Sequence, residues 1–80
     1  MSLGPKQIRE LLEEYLVIFY SKVSDIQITF LVADKEQGIW KANIKFKRDP
    51  SDLFYNIAMF SIDATSGDIT QFKEGWTWRY

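Results

Sequence analysis

The chain contains no histidine and no cysteine, so the residues that could do chemistry are mainly its carboxylates. Catalytic arrangements built on histidine or cysteine are excluded, and the usual zinc ligand sets are absent. Acid–base catalysis by carboxylates needs two of them in a shaped pocket that separates their pKa values. The pairs present lie on a helix flank or in loops, where carboxylates are normally solvated: Glu13/Glu14, Asp34/Glu36, Asp49/Asp52 and Asp63/Asp68. The sequence therefore predicts no catalytic residue, no cofactor, no metal site and no enzyme activity.

The segment from Asp63 to Asp68 has some features of a calcium loop. An EF-hand loop needs a glycine at its sixth position and a glutamate at its twelfth. Here Gly67 is at the fifth position, and the segment follows a strand-like run instead of a helix. The spacing favours a hairpin turn in which the Asp63 carboxylate accepts backbone hydrogen bonds and Gly67 adopts a positive φ.

A basic stripe of Lys41, Lys45, Lys47 and Arg48 alternates with apolar residues. Nucleic-acid surfaces combine such charge with aromatic side chains on the same face. In this segment Trp40 and Phe46 are expected to point the other way. The net charge is only −1. We therefore interpret the stripe as the wet face of a half-buried sheet, and the sequence predicts no nucleic-acid partner.

The C-terminal tail alternates aromatic residues at Trp76, Trp78 and Tyr80. They could close the core as a last strand, or form a contact surface, because Trp and Tyr are enriched at interaction hot spots. A C-terminal edge strand is also a place where a second copy or a partner peptide could add. The candidate interface residues are Trp76, Trp78, Tyr80, Phe54 and Phe60.

Size and composition predict one packed domain, residues 1–80. A chain of 80 residues without cysteine must be stabilised by packing, and 46% of it is hydrophobic and 16% aromatic. The longest apolar run, Tyr15 to Tyr20, is too short to span a bilayer and occurs too late for a secretory signal. We expect no membrane insertion. As it stands the sequence predicts a cytoplasmic setting; an extracytoplasmic setting is the alternative if a signal segment was removed.

The first element is an amphipathic helix over residues 5 to 21. Pro5 suits the first helical position, because its missing N–H would be unpaired there in any residue. The apolar side chains recur at helical spacing: Ile8, Leu11, Leu12, Tyr15, Leu16 and Phe19. The helix is expected to end in the polar segment from Ser21 to Asp25.

Four strands are predicted after the helix. In residues 26–32 we expect Ile26, Ile28, Phe30 and Val32 to share one dry face. Residues 40–46 alternate most clearly. Residues 53–62 are apolar on both faces, which is typical of a covered central strand or of one that meets a second subunit. The fourth strand is Ile69 to Lys73, and the tail is a candidate fifth strand.

The predicted fold class is α+β, with one N-terminal helix packed on an antiparallel meander of four or five strands. Short connections favour antiparallel pairing between consecutive strands.

The hairpin Asp63-Ala64-Thr65-Ser66-Gly67-Asp68-Ile69, after a strand carrying Tyr55, resembles the closing hairpin of PepSY-type domains. This resemblance covers about a quarter of the chain. It implies a helix-plus-sheet unit that acts as an inhibitory or regulatory binding domain, in a family that is mostly extracytoplasmic.

A thinner resemblance to the gas vesicle protein O family runs through the C-terminal half. It rests on Gly38-x-Trp40, Arg48-x-Pro50, Asp52-Leu53-x-Tyr55, Asp63, Gly67 and Arg79-Tyr80. The acidic residues which that family shows on its first Trp-bearing strand are lysines here. This resemblance implies a role in gas vesicle assembly, and neither resemblance transfers a catalytic residue.

Three functional hypotheses follow. The first is a small non-catalytic binding or regulatory domain that acts through protein–protein contact or forms a homodimer, through residues 53–62 or the tail. The second is an assembly accessory of the gas-vesicle kind. The third is a carrier of small apolar ligands, with a pocket between helix and sheet around Tyr15, Phe19 and Trp40.

Overall fold

One helix is followed by a four-stranded antiparallel sheet in which each strand pairs with the next. A computed structural model describes residues 3–79. The strands lie in the order β1-β2-β3-β4, which confirms the predicted α+β meander. The elements are α1 (Pro5–Phe19), β1 (Ser24–Asp34), β2 (Ile39–Lys47), β3 (Asn56–Asp63) and β4 (Ile69–Glu74).

Helix α1 begins at Pro5, as the sequence predicts, and ends two residues before the predicted boundary. The N–H of Gly4 donates to Oε1 of Gln7 at 2.7 Å, which satisfies one of the groups left unpaired at a helix start. At the other end Tyr20 is extended, and its N–H donates to the carbonyl of Leu16 at 2.8 Å. Its ring packs against Phe46 at a centroid distance of 5.5 Å.

The core lies between α1 and one face of the sheet. Strand β2 supplies alternate residues to it, as predicted from its clean period of two. The helix contributes its i, i+4, i+8 row. The fully buried apolar side chains are Ile8, Leu12, Leu16, Ala42, Ile44, Phe46, Ala58, Phe60 and Ile62.

Strand β1 departs from the predicted single dry face. Ile28 pairs with Ile44, whereas Phe30 pairs with Asn43, so Thr29 is an extra residue in β1. Such a bulge turns the following side chains to the other face of the sheet. Phe30 and Val32 therefore lie on the face opposite α1, which we call the open face, and the prediction that they share a face with Ile28 is wrong.

Strand β3 is shorter than predicted, because it begins at Asn56 and residues 53–55 belong to the preceding loop. Pro50 and the turn around Asp49 separate β2 from β3. In this turn Asp49 Oδ1 accepts from the N–H of Ser51 at 2.9 Å. Leu53 and Phe54 are consequently outside the sheet.

The Asp63–Asp68 segment forms the predicted turn. Asp63 Oδ1 accepts from the N–H groups of Thr65 and Ser66, each at 2.8 Å, and Gly67 has a φ of +80°. Leu3, the first described residue, contacts the same end of the sheet: its N–H donates to the carbonyl of Ala64 at 2.8 Å.

Candidate functional site

Large apolar side chains are exposed at one end of the molecule, which we call the apolar end. Its centre is the loop before β3, where Leu53 is 87% and Phe54 is 82% exposed. Its full set is Leu53, Phe54, Tyr55, Ile57 and Trp76, together with Val17, Ile18 and Phe19 from the last turn of α1. Among residues 3–79, Val32 is the remaining exposed large apolar side chain.

Pairing and packing contacts bring these segments to the same end. Tyr20, directly after the helix, packs on Phe46, and Phe46 pairs with Asn56 at the start of β3. The N–H of Gly75 donates to the carbonyl of Ile57 at 2.8 Å, which places Trp76 beside the same loop. The apolar end thus draws on α1, the β2–β3 loop and the chain after β4.

A polar cluster of Tyr20, Arg48 and Glu74 joins three elements at the apolar end. The Tyr20 hydroxyl donates to Glu74 Oε1 at 2.9 Å, Arg48 Nε donates to the same oxygen at 3.2 Å, and Arg48 also forms an ion pair with Glu74 Oε2. The hydrogen bond from Arg48 lowers the pKa of Glu74. Burial, followed by the hydrogen bond to Glu74, raises the pKa of Tyr20.

Two neighbouring surface depressions lie at the apolar end. One, of about 340 Å³, is lined by Arg48, Asp52, Leu53, Phe54 and Asn56. The other, of about 290 Å³, is lined by Tyr55, Asn56, Ile57, Glu74 and Gly75. Because Asn56 borders both, they form a continuous uneven surface into which side chains of a partner protein could pack.

The tail does not form a fifth strand within the described residues. After Gly75, whose φ is +84°, residues 76–79 cross the open face, and we call residues 75–79 the strap. Trp78 anchors it: its N–H donates to Asn43 Oδ1 at 2.6 Å, and its carbonyl accepts from Asn43 Nδ2 at 2.9 Å. The strap covers part of the open face, where Asn43, Met59 and Ser61 are buried.

The indole of Trp78 has its own partner in the sheet. Its Nε1 donates to the carbonyl of Phe60 at 2.8 Å. In the β3–β4 pairing, Thr70 is an extra residue opposite Ser61 and Ile62. The bulge makes the ladder irregular next to the Phe60 carbonyl, which accepts from the strap.

Three residues of the basic stripe, Lys41, Lys45 and Lys47, lie on the open face as predicted, whereas Arg48 packs on Tyr20 and pairs with Glu74. Trp40 and Phe46 point to the core side as expected, but two rings from outside β2 share the open face with the lysines. Tyr55 lies under Lys45 Nζ at 4.8 Å and Lys47 Nζ at 5.3 Å, and Trp78 lies under Lys41 Nζ at 4.9 Å. Tyr55 belongs to the β2–β3 loop and Trp78 to the strap, so the alternation within β2 does not reveal them. The lysines are also paired with carboxylates at the sheet margin: Lys41 with Asp34 at 3.2 Å and Lys47 with Asp25 at 3.7 Å.

The candidate interface residues have different surroundings. Trp76 and Phe54 are exposed, whereas Trp78 is partly buried where the strap contacts the sheet. Phe60 is fully buried between sheet and helix, where it packs on Phe72 at a centroid distance of 4.8 Å; it is a core residue and not part of a surface. Tyr80 lies outside the described residues.

Sequence reasoning missed Asn43 and Leu53 as parts of these surfaces. A signal for Asn43 exists, because it is the single neutral amide among the lysines on its side of β2. The apolar pattern places Leu53 within a predicted strand over residues 53–62, and it gives no sign that Leu53 lies in an exposed loop.

The region proposed for an apolar ligand is filled by the protein's own rings. Tyr15 packs edge-on against Phe60 and Phe72, each at a centroid distance of 5.7 Å. Phe19 stacks on Phe72 at 6.0 Å. Trp40 donates from Nε1 to the carbonyl of Leu3 at 3.2 Å. These contacts do not favour the carrier hypothesis.

Within residues 3–79, no group of three or more acidic side chains is arranged to hold a metal ion. No helix in the same range is long and apolar enough to cross a membrane.

No protein-family model matches the chain, and neither the curated proteins nor the solved structures contain a significant match. The resemblances to PepSY-type domains and to gas vesicle protein O therefore stay predictions.

Proposed function

We propose that this protein is a non-catalytic binding domain that self-associates through its apolar end. The observation that carries the proposal is the exposure of Leu53 and Phe54, at 87% and 82%, in the loop before β3; Ile18 in the last turn of α1 is 77% exposed. Leaving such side chains in water forgoes about 1.5–3 kcal/mol each relative to full burial. Contiguous exposed apolar side chains of this kind mark interaction sites.

The charges around the apolar end favour a second copy of the same chain as the partner. Charges of both signs border it: Arg48 pairs with Glu74, Lys22 pairs with Asp49, and Lys45 and Lys47 lie over Tyr55. A two-fold interface places the same patch on itself. A rim of one sign would repel its copy, whereas a mixed rim allows each cation to face an anion of the other subunit.

The shape of the surface agrees with a contact between proteins. The exposed side chains of Leu53 and Phe54 line one of the two depressions, so one copy offers both apolar side chains and hollows that could receive them. A single small chain can contribute only a limited area, and interfaces of that size are normally weak. We expect a concentration-dependent dimer.

The test is sedimentation equilibrium of the wild type and of the double variant Leu53→Ser/Phe54→Ser, at concentrations up to about 1 mM. We expect the wild-type mass to rise above 9.4 kDa with concentration and the double variant to stay monomeric. Val32→Thr, at the exposed apolar residue away from this end, is the matched control and should dimerise like the wild type. A wild type that stays monomeric, or a double variant that still dimerises, overturns the proposal.

A further inference from the structure

The strap lies on the open face as a bound peptide would. The Asn43 side chain forms its two hydrogen bonds with the backbone N–H and carbonyl of Trp78, at 2.6 and 2.9 Å. A carboxamide donates and accepts side by side, so it can pair with both polar groups of one extended residue. The Asn43 side chain thus recognises an extended chain at this point, whichever chain supplies it.

The same place on the open face matches the shape and the hydrogen-bond donor of a tryptophan side chain. The Phe60 carbonyl accepts the indole N–H at 2.8 Å, and Lys41 lies over the ring. An indole can combine a hydrogen-bond donor with a large ring face. Together with Asn43, these residues define a seat for one tryptophan within an extended segment.

Few groups of the sheet would lose hydrogen bonds if the strap left the open face. Asn43 is only 4% exposed, and its amide is paired through the strap backbone. Removing the strap would break both hydrogen bonds and open the amide to water, unless another extended chain takes the place of the strap. Trp76, by contrast, is exposed and contacts Lys73 at 4.2 Å, so the strap before Trp78 is held less tightly.

We propose that the open face is a recognition site for an extended peptide segment that carries a tryptophan, and that the strap occupies this site within the same chain. The partner is defined by chemistry: a free backbone N–H and carbonyl at the tryptophan, and an indole N–H directed at Phe60. The strap shares Trp76 with the apolar end, but the seat for Trp78 does not use that residue.

A tethered strap competes strongly with any peptide from outside. A short tether gives an effective concentration in the millimolar range. Wild-type protein should therefore bind a free peptide weakly, and weakening the strap's own tryptophan should open the site.

The test uses the full chain with Trp78→Ala and a fluorescent peptide with the sequence of residues 75–80 as the probe. We expect fluorescence anisotropy to show at least tenfold tighter binding to Trp78→Ala than to the wild type. Adding Asn43→Leu to Trp78→Ala should reduce that affinity at least tenfold, and a peptide with alanine in place of its second tryptophan should bind no better to the variant than to the wild type. Leu53→Ser/Phe54→Ser in the Trp78→Ala background should leave peptide binding unchanged, which separates this site from the apolar end.

A folded Trp78→Ala variant that binds the peptide no better than the wild type overturns the proposal, and so does equal binding when Asn43→Leu is added. Hydrogen exchange on the wild type gives a second test that does not depend on a variant folding. The Trp78 amide should exchange at least 100-fold faster than the slowest amides of β2 and β3, because the strap opens while the sheet stays folded. Exchange of Trp78 at the rate of global unfolding would show that the strap is a permanent part of the fold.

Discussion

The side-chain amide of Asn43 forms two hydrogen bonds with the backbone of Trp78, 35 residues further along the chain. The amide lies in the middle of β2 on the open face, where its neighbours on the same side are lysines. One polar side chain thereby fixes the path of the strap across the sheet.

Replacing Asn43 with alanine should lower the free energy of unfolding by about 1–3 kcal/mol, because the Trp78 N–H and carbonyl lose their partners. Urea denaturation measures the change. Gln71→Ala, an exposed residue of β4, is the control and should stay within about 0.5 kcal/mol of the wild type. Equal stability of the two variants would contradict the role given to Asn43.

Gly67 should tolerate alanine less well than Gly38. Both have a positive φ, +67° at Gly38 and +80° at Gly67, which costs an L-residue about 1–2 kcal/mol. A Cβ at Gly67 would also lie 3.1 Å from Leu11 Cδ1 and 3.2 Å from Leu3 Cδ1, whereas one at Gly38 has no neighbour within 4 Å. Thermal unfolding should therefore give a lower Tm for Gly67→Ala than for Gly38→Ala. The reverse order would be inconsistent with this packing.

The Arg48–Glu74 pair should contribute more than an ordinary surface ion pair. A double-mutant cycle with Arg48→Met and Glu74→Gln should give a coupling energy larger than that of an exposed reference pair, and this coupling should fall in 1 M salt. The reference is the more exposed pair Arg9–Glu13 within α1, for which we expect about 0.3–0.5 kcal/mol. A coupling energy no larger than that of the reference pair would show that the cluster of Tyr20, Arg48 and Glu74 does not strengthen the ion pair.

Stability should fall in acid, partly because of Asp63. Hydrogen bonds from the backbone N–H of Ser66, then of Thr65, lower the pKa of Asp63 in the folded protein. A carboxyl with a depressed folded pKa stabilises the protein above its unfolded pKa, about 3.9, and this contribution is lost as the pH falls through the folded value.

Asp63→Asn should therefore make the decline of the free energy of unfolding between about pH 5 and pH 2 shallower than in the wild type. Chemical denaturation at several pH values measures the slope. Because the cause is hydrogen bonding, the difference in slope should persist in 1 M salt. Identical slopes in the two proteins would contradict this explanation.

The fold could be predicted from sequence where one period dominates. The apolar row of α1 and the alternation of β2 each have a single interpretation, and the structure confirms both. In β1 the residues on either side of Thr29 are apolar, so the pattern looks continuous although the register shifts there. The start of β3 was misplaced for a similar reason: Leu53 and Phe54 are as apolar as core residues but are exposed.

The surfaces were harder to predict because they depend on contacts between distant residues. Local patterns place Lys41 and Lys45 on a wet face, but they do not reveal that Tyr55 and Trp78 reach the same face from a loop and a tail. The aromatic tail was recognised as significant. Its path was not predicted, since that path is set by Asn43 and by the irregularity in the β3–β4 pairing.

The meander order has a consequence for folding kinetics. Each strand pairs with its sequence neighbour, so the sheet can assemble by successive closures of short loops. Closing a longer loop loses more conformational entropy. The contact between Asn43 and Trp78 closes a much longer loop and should form after the rate-limiting step. Stopped-flow measurements on Trp78→Ala should then show faster unfolding with nearly unchanged refolding, whereas slower refolding would place the strap in the folding nucleus.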